Sequence, residues 1–162
     1  MEKVIAELLK FSSNILELGY PILDNRINLF EKKYGIHVPN DFRDFVSQYN
    51  GISLAGIEVY GFDITKPESI ENVYDYEHFQ VSIPQYPHLI PFSPDGGGNF
   101  YCFDTANIST KGDCPIVFWV SNYIYSDSDC PETVNNNFLE WLQQVVIDWT
   151  LECYDYEGNE IE

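Results

Sequence analysis

The chain has little positive charge, few histidines, no cysteine pair at metal or redox spacing and no long apolar run. Each shortage argues against a class of function. Eight Lys and Arg stand against 26 Asp and Glu in 162 residues, a formal net charge of −18. A field of that sign repels phosphate backbones, which argues against direct DNA or RNA binding, and it steers basic partners toward the surface. The four cysteines, at positions 102, 114, 130 and 153, include no pair at the two-residue spacing of a zinc or redox motif and read as reduced thiols, with Cys102 and Cys114 inside apolar strands. His37, His78 and His88 form no helical pair with a completing carboxylate, and His37, just before a Val-Pro turn, reads as structural. No apolar stretch approaches the roughly 18 residues that span a bilayer. Glu7 and Lys10 interrupt the apolar run of residues 4–11, which reads as an amphipathic helix rather than a leader, so a cytoplasmic protein without membrane contact is expected.

Catalytic motifs are equally scarce. There is no Gly-x-Ser-x-Gly elbow. The run Pro94-Asp95-Gly96-Gly97-Gly98-Asn99 lacks the Lys-Ser/Thr of a phosphate loop, has Tyr101 where a dinucleotide fingerprint needs a small residue, and leads into a strand, so it reads as a turn between two strands. Asp127 and Asp129 lack the glycine and distant Glu of a calcium loop and sit before the last helix, where negative charge is favourable. No cofactor, metal or catalytic residue is assigned. A Cys–His meeting in space or an accidental carboxylate pair stays open, but the reading is of a protein that is not an enzyme.

What is present is a core. Forty-four per cent apolar and 16% aromatic residues exclude disorder and predict aromatic packing. A chain of this length buries about two-thirds of its unfolded surface and needs no second domain. The charge is split: residues 1–50 balance to −1, whereas residues 51–162 carry two Lys/Arg and 19 Asp/Glu, or −17.

Residues 27–51 are the most informative stretch. Ile27, Phe30 and Tyr34 recur at helical spacing, and Gly35 can adopt the left-handed conformation that closes a helix. Pro39-Asn40-Asp41 opens a second helix, with Asn40 as the capping acceptor and Asp41 and Asp44 at the positive end of the dipole. Phe42, Phe45, Val46 and Tyr49 form its apolar face, and Asn50-Gly51 stops it.

The set Phe30-Glu31, Tyr34-Gly35, Val38-Pro39, Asp41-Phe42, Phe45-Val46 and Asn50-Gly51 resembles the signature region of the SUKH superfamily. The block from Pro94 to Asp104, the run Cys114 to Trp119, and a closing helix with Phe138, Leu139 and Leu142 resemble it as well. The resemblance spans roughly residues 27–149. It implies an α+β domain that in bacteria most often serves as an immunity protein, binding a cognate toxin of a polymorphic toxin system. It leaves open a regulatory scaffold, since eukaryotic relatives are linked to control of cell-wall synthesis, or a general interaction module.

Along the chain, the periodicity predicts a first helix over residues 2–17 broken at Gly19-Tyr20-Pro21, then the two signature helices. A sheet region follows over residues 52–125, with strands near 57–60, 89–93, 99–104 and 115–120, the last two joined by a hairpin connection over 105–113. Residues 63–87 read as irregular, with one helical turn near 68–77. A helix is predicted over residues 133–152, presenting Phe138, Trp141, Leu142, Val145 and Trp149 to the sheet, and an acidic frayed tail over 154–162. The expected architecture is one α+β domain, 1–162: a central antiparallel sheet of about four to six strands flanked by the N-terminal helices and the C-terminal helix.

For partner contact the sequence points to the acid and aromatic run Glu71, Tyr74, Asp75, Tyr76 and Glu77, with Asp127 and Asp129 as a second acidic pair. Tyrosines give contact area at low entropic cost, and interleaved carboxylates pair with Lys or Arg. Taken with the resemblance, which implies a toxin, these residues point to a basic one, for instance a nuclease, met by a monomer or weak dimer.

Overall fold

The signature region folds as its residues require. In the computed structural model, which describes residues 1–22, 24–126 and 128–161, helix α1 spans Glu2–Leu8, α2 Asp24–Tyr34 and α3 Asn40–Val46. Gly35, at φ +68°, closes α2 by donating from its N–H to the Glu31 carbonyl at 2.8 Å. Glu31 then turns back: its Oε1 accepts from Val38 N–H at 2.9 Å and lies 2.7 Å from Arg43 Nη2. That one carboxylate fixes the turn between α2 and α3. At Gly51, φ is +89° and an added Cβ would lie 2.9 Å from the Val59 carbonyl, so only glycine fits where the chain crosses that strand.

Among the described residues seven strands form two antiparallel sheets. The first has the order β1 (Leu16–Leu18), β2 (Ile52–Leu54), β3 (Ile57–Val59); the second runs β4 (Leu89–Pro94), β5 (Phe100–Asp104), β6 (Ile116–Trp119), β7 (Glu132–Asn135). The sequence leads to one sheet; the structure divides it. The two adjoin where Tyr60 N–H donates to the Phe92 carbonyl at 2.8 Å and Ser93 Oγ donates to the Glu58 carbonyl at 2.6 Å. The glycine run is the β4–β5 turn, and its Gly97 and Asn99 N–H groups donate to Asp95 Oδ1.

The core joins the N-terminal helices to the second sheet and to the C-terminal helix. Phe42 is fully buried, its ring 4.8 Å from Phe103 and 4.9 Å from Phe138 between centroids, while Phe92 stacks 4.1 Å from Phe103. Each such ring contributes about 1.5–3 kcal/mol by leaving water.

Several expectations are corrected. The first helix ends at Leu8, and Leu16–Leu18 is a strand, because Ser12 diverts the chain: its Oγ accepts from Asn14 N–H and its carbonyl from Ile15 and Leu16. Helix α4, Ile70–Phe79, occupies the stretch read as irregular, with Ser69 Oγ accepting from Asn72 N–H. Residues 132–135 are strand β7, and the last helix begins at Phe138, where Asn137 Oδ1 accepts from Glu140 N–H. Asn40 does not cap α3. Its Nδ2 donates to the Lys111 carbonyl, and Asp41 instead accepts from Phe42 N–H at 2.8 Å and from Phe138 N–H at 3.0 Å, bridging two helix starts. The tail is held rather than frayed: Ser12 N–H donates to the Tyr156 carbonyl and the Phe11 and Tyr156 rings lie 5.0 Å apart. Cys102 lies within β5, but Cys114 precedes β6, and both are buried.

Trp149 is the most instructive correction. Helix α5 (Phe138–Trp141) passes into a π-helical stretch, Leu142–Asp148, before α6 (Trp149–Cys153). The wider π turn delays the buried face by one residue, so burial continues at Val146, Ile147 and Thr150 in place of Val145 and Trp149. Trp141 packs on Phe92 and Tyr101, as its spacing predicts, while Trp149 turns outward and is 56% exposed.

Candidate functional site

Helix α4 carries five of the seven residues proposed for partner contact, and its helical period separates them. Ile70, Tyr74 and Glu77 recur on one side and are buried. Tyr74, 3% exposed, lies against Phe30 and Tyr34, stacks 3.8 Å from the His78 ring and donates to the Pro87 carbonyl at 2.9 Å. It is a core residue. Glu77, 7% exposed, sits where burial raises its carboxyl above the ordinary range, at the lining of the cleft beside the helix. Both residues fall on the inward side of the helix.

The other side remains available. Tyr76 is 54% and Phe79 66% exposed, and Glu71 and Asp75 flank them. Asp75 is oriented by two donors, Tyr34 OH at 3.1 Å and Gln80 Nε2 at 3.2 Å. Glu71 Oε1 lies 3.0 Å from Lys33 Nζ. Lys33, Ile64, Glu71, Asn72, Asp75 and Tyr76 border an open cleft of about 700 Å³, and Phe79 lies outside its lining. Ile64 carried no sequence signal of its own; Phe79 closes the acid and aromatic run, and its exposed position follows from the helical period once Tyr74 is known to point inward.

Of the second pair, Asp127 lies outside the described residues. Asp129 is exposed and accepts from Tyr123 OH. A run of contacts connects this region to α4. Tyr123 and Tyr125 lie 4.8 Å apart, Tyr125 lies 6.3 Å from Tyr86, and the Tyr86 carbonyl is 3.1 Å from His78 Nε2. Beneath them Trp119 packs 4.7 Å from Tyr125 on the face of the second sheet opposite the C-terminal helix. Asp129 and the α4 surface therefore belong to neighbouring parts of one aromatic surface. The signature residues Phe30, Glu31, Gly35, Pro39, Phe42, Phe45, Asn50 and Gly51 take no part in it; Asn50 Oδ1, for example, accepts from Phe62 N–H at 2.7 Å.

The arrangement suits binding more than bond making. Burial holds the Cys102 thiol well above its ordinary range and lowers the His78 imidazole below its own, against the opposing pull of the Tyr74 and Tyr86 carbonyls, 2.8 and 3.1 Å from its two ring nitrogens. Among the described residues no group of three or more His, Cys, Asp or Glu is placed to hold a metal ion, and no helix is long and apolar enough to cross a membrane.

Comparison with known proteins completes the description. The model of the SMI1 / KNR4 family (SUKH-1) matches residues 21–144. A protein of Bacillus subtilis (strain 168), the uncharacterized protein YnaB, is 30% identical over 130 residues, covering 78% of this chain and 77% of that protein. A crystal structure of a protein from Pseudomonas syringae pv. tomato shares the fold with a TM-score of 0.66 at 17% identity, over 91% of this chain and 99% of the other.

Proposed function

This chain belongs to the SMI1 / KNR4 family (SUKH-1), and on that premise we propose that it is an immunity protein that binds a basic toxin domain in the cytoplasm and occludes its active cleft. The observation that carries the reading is the distribution of charge around exposed aromatics. Of the net −18, −17 lies after Asn50, and from residue 112 onward there are 11 carboxylates and no Lys or Arg. Such a surface accelerates encounter with a basic partner, and Tyr76 and Phe79 beside Asp75 offer anchors that are desolvated on docking. The chain acts as a monomer or weak dimer, by binding rather than catalysis, and a nuclease is the partner class whose own basic cleft matches best.

The test is purification of the chain with the product of a toxin gene encoded beside it. A stoichiometric complex in which the toxin is inactive is expected. A neighbouring toxin that is neither bound nor inhibited overturns the reading.

A further inference from the structure

A second surface lies on the opposite face of the four-stranded sheet from Trp119. Tyr101 and Phe118, with rings 5.1 Å apart, form the floor of a groove of about 640 Å³, Val145 and Trp149 form one wall, and Ile57 lies in the other. Five large apolar side chains, with Trp149 56% exposed among them, line this one depression. The depression exists because of the π-helical stretch: continued α geometry would carry Trp149 onto the sheet, whereas the extra residue per turn rotates it out and puts Thr150 inside, its Oγ1 donating to the Val146 carbonyl at 2.6 Å. π turns within helices frequently lie at functional positions.

The charges around the groove select its occupant. Glu58 and Asp95 line it, Glu152 is exposed beside the lining residue Cys153, and none of the lining residues is Lys or Arg. A second copy of this chain would bring a net charge of −18 to the same place, and an anionic lipid surface would be repelled as well. We infer that the groove binds a segment of a partner protein that inserts one or two Leu or Phe side chains against Trp149 and flanks them with Lys or Arg directed at Glu58 and Glu152. This rests on the groove alone and stands whether or not the partner at α4 is a toxin.

Trp149 supplies its own readout, because Trp119 and Trp141 are buried and Trp149 is the exposed indole. The probe is a short synthetic peptide with Leu and Phe on one face and Lys on the other, compared with a counterpart carrying Glu in place of Lys. The Lys peptide is expected to shift the fluorescence of the native protein to the blue, protect it from acrylamide and bind more weakly as salt is raised; the Glu peptide is expected to do none of these. Trp149→Ala, read by calorimetry, is expected to weaken binding about tenfold or more, and Glu58→Gln with Glu152→Gln to flatten the salt dependence without unfolding the protein. Equal binding of both peptides, binding unchanged by Trp149→Ala, or no spectral shift with either peptide overturns the inference. So does a blue shift that appears with self-association in sedimentation, or with anionic vesicles alone, each of which assigns the groove to another occupant.

Discussion

Residues 27–51 and the acidic remainder use their distinctive side chains in opposite directions. In the first, each marked residue is turned inward or onto its own backbone: Glu31 onto Val38 and Arg43, Asn50 onto Phe62, Phe42 and Phe45 into the core. In the second, Tyr76, Phe79 and Trp149 face solvent among carboxylates. The residues by which the family is recognised are thus the ones that build it, and the groups able to meet a partner lie outside the motif. Shared membership accordingly shows the fold, while the positions proposed for partner contact, such as Tyr76 and Trp149, lie outside the motif.

Substitutions within the signature break this comparison most severely. Phe45→Ala empties a fully buried site against Phe42 and Phe138 and is expected to cost roughly 3–5 kcal/mol, read as a lower urea midpoint. An unchanged midpoint would mean that the signature face is not a packing element. Next comes Asp41→Ala, which leaves the N–H groups of Phe42 and Phe138, at two helix starts distant in sequence, without their acceptor; roughly 2–4 kcal/mol is expected.

Both buried carboxyls impose a pH dependence. Burial, reinforced by Asp113, pushes Asp41 up to about 6, and burial raises Glu77. In each case the folded state holds its proton at a pH where the unfolded chain has released it. The stability gained by the protonated form is therefore fully present below the unfolded carboxyl value of about 4 and is lost as pH rises through about 6 for Asp41. These two groups oppose acid unfolding by the remaining carboxylates. Glu77→Gln is expected to raise the melting temperature at neutral pH and to lose that advantage in acid; an equal effect at both pH values would show that Glu77 is ionised without cost in the fold.

The same comparison explains which features could be read from the sequence. The signature helices, the glycine stop at Gly35, strands β4 to β6 and the turn at Asp95 follow from local rules that tertiary contacts did not oppose. Helix α4 was hidden because its third inward position is Glu77, a charge where the pattern calls for an apolar residue. Strand β7 was hidden because Glu132-Thr133-Val134-Asn135 adjoins the Asn run that caps the next helix. For Trp149, spacing alone gives the inward side; only the π stretch, which has no sequence signature, moves it out. The candidate site divides in the same way: composition marks α4, but the periodicity that separates Tyr76 from Tyr74 needs the helix boundaries at Ile70 and Phe79.

The smallest effects are the ones that sharpen the comparison, since they separate attraction at a distance from contact. Asp75→Asn combined with Asp129→Asn removes charge from the α4 surface while leaving Tyr76 and Phe79 in place. With a basic toxin as partner, association should slow modestly and its dependence on salt should weaken, because the attraction screened over a Debye length of about 8–10 Å has been reduced. Tyr76→Ala should leave the association rate and its salt slope near those of the parent and raise the dissociation rate, because an anchor contributes only after docking. Neither change should move the urea midpoint appreciably, Tyr76 being exposed and Asp75 tethered by neutral donors. Association rates at low and high salt, with dissociation followed separately, distinguish the two. If the charge-neutralised protein keeps the parental rate and slope, α4 is not where the partner arrives, and the Trp149 groove, whose acidic rim these substitutions leave intact, becomes the surface on which the same measurement is repeated.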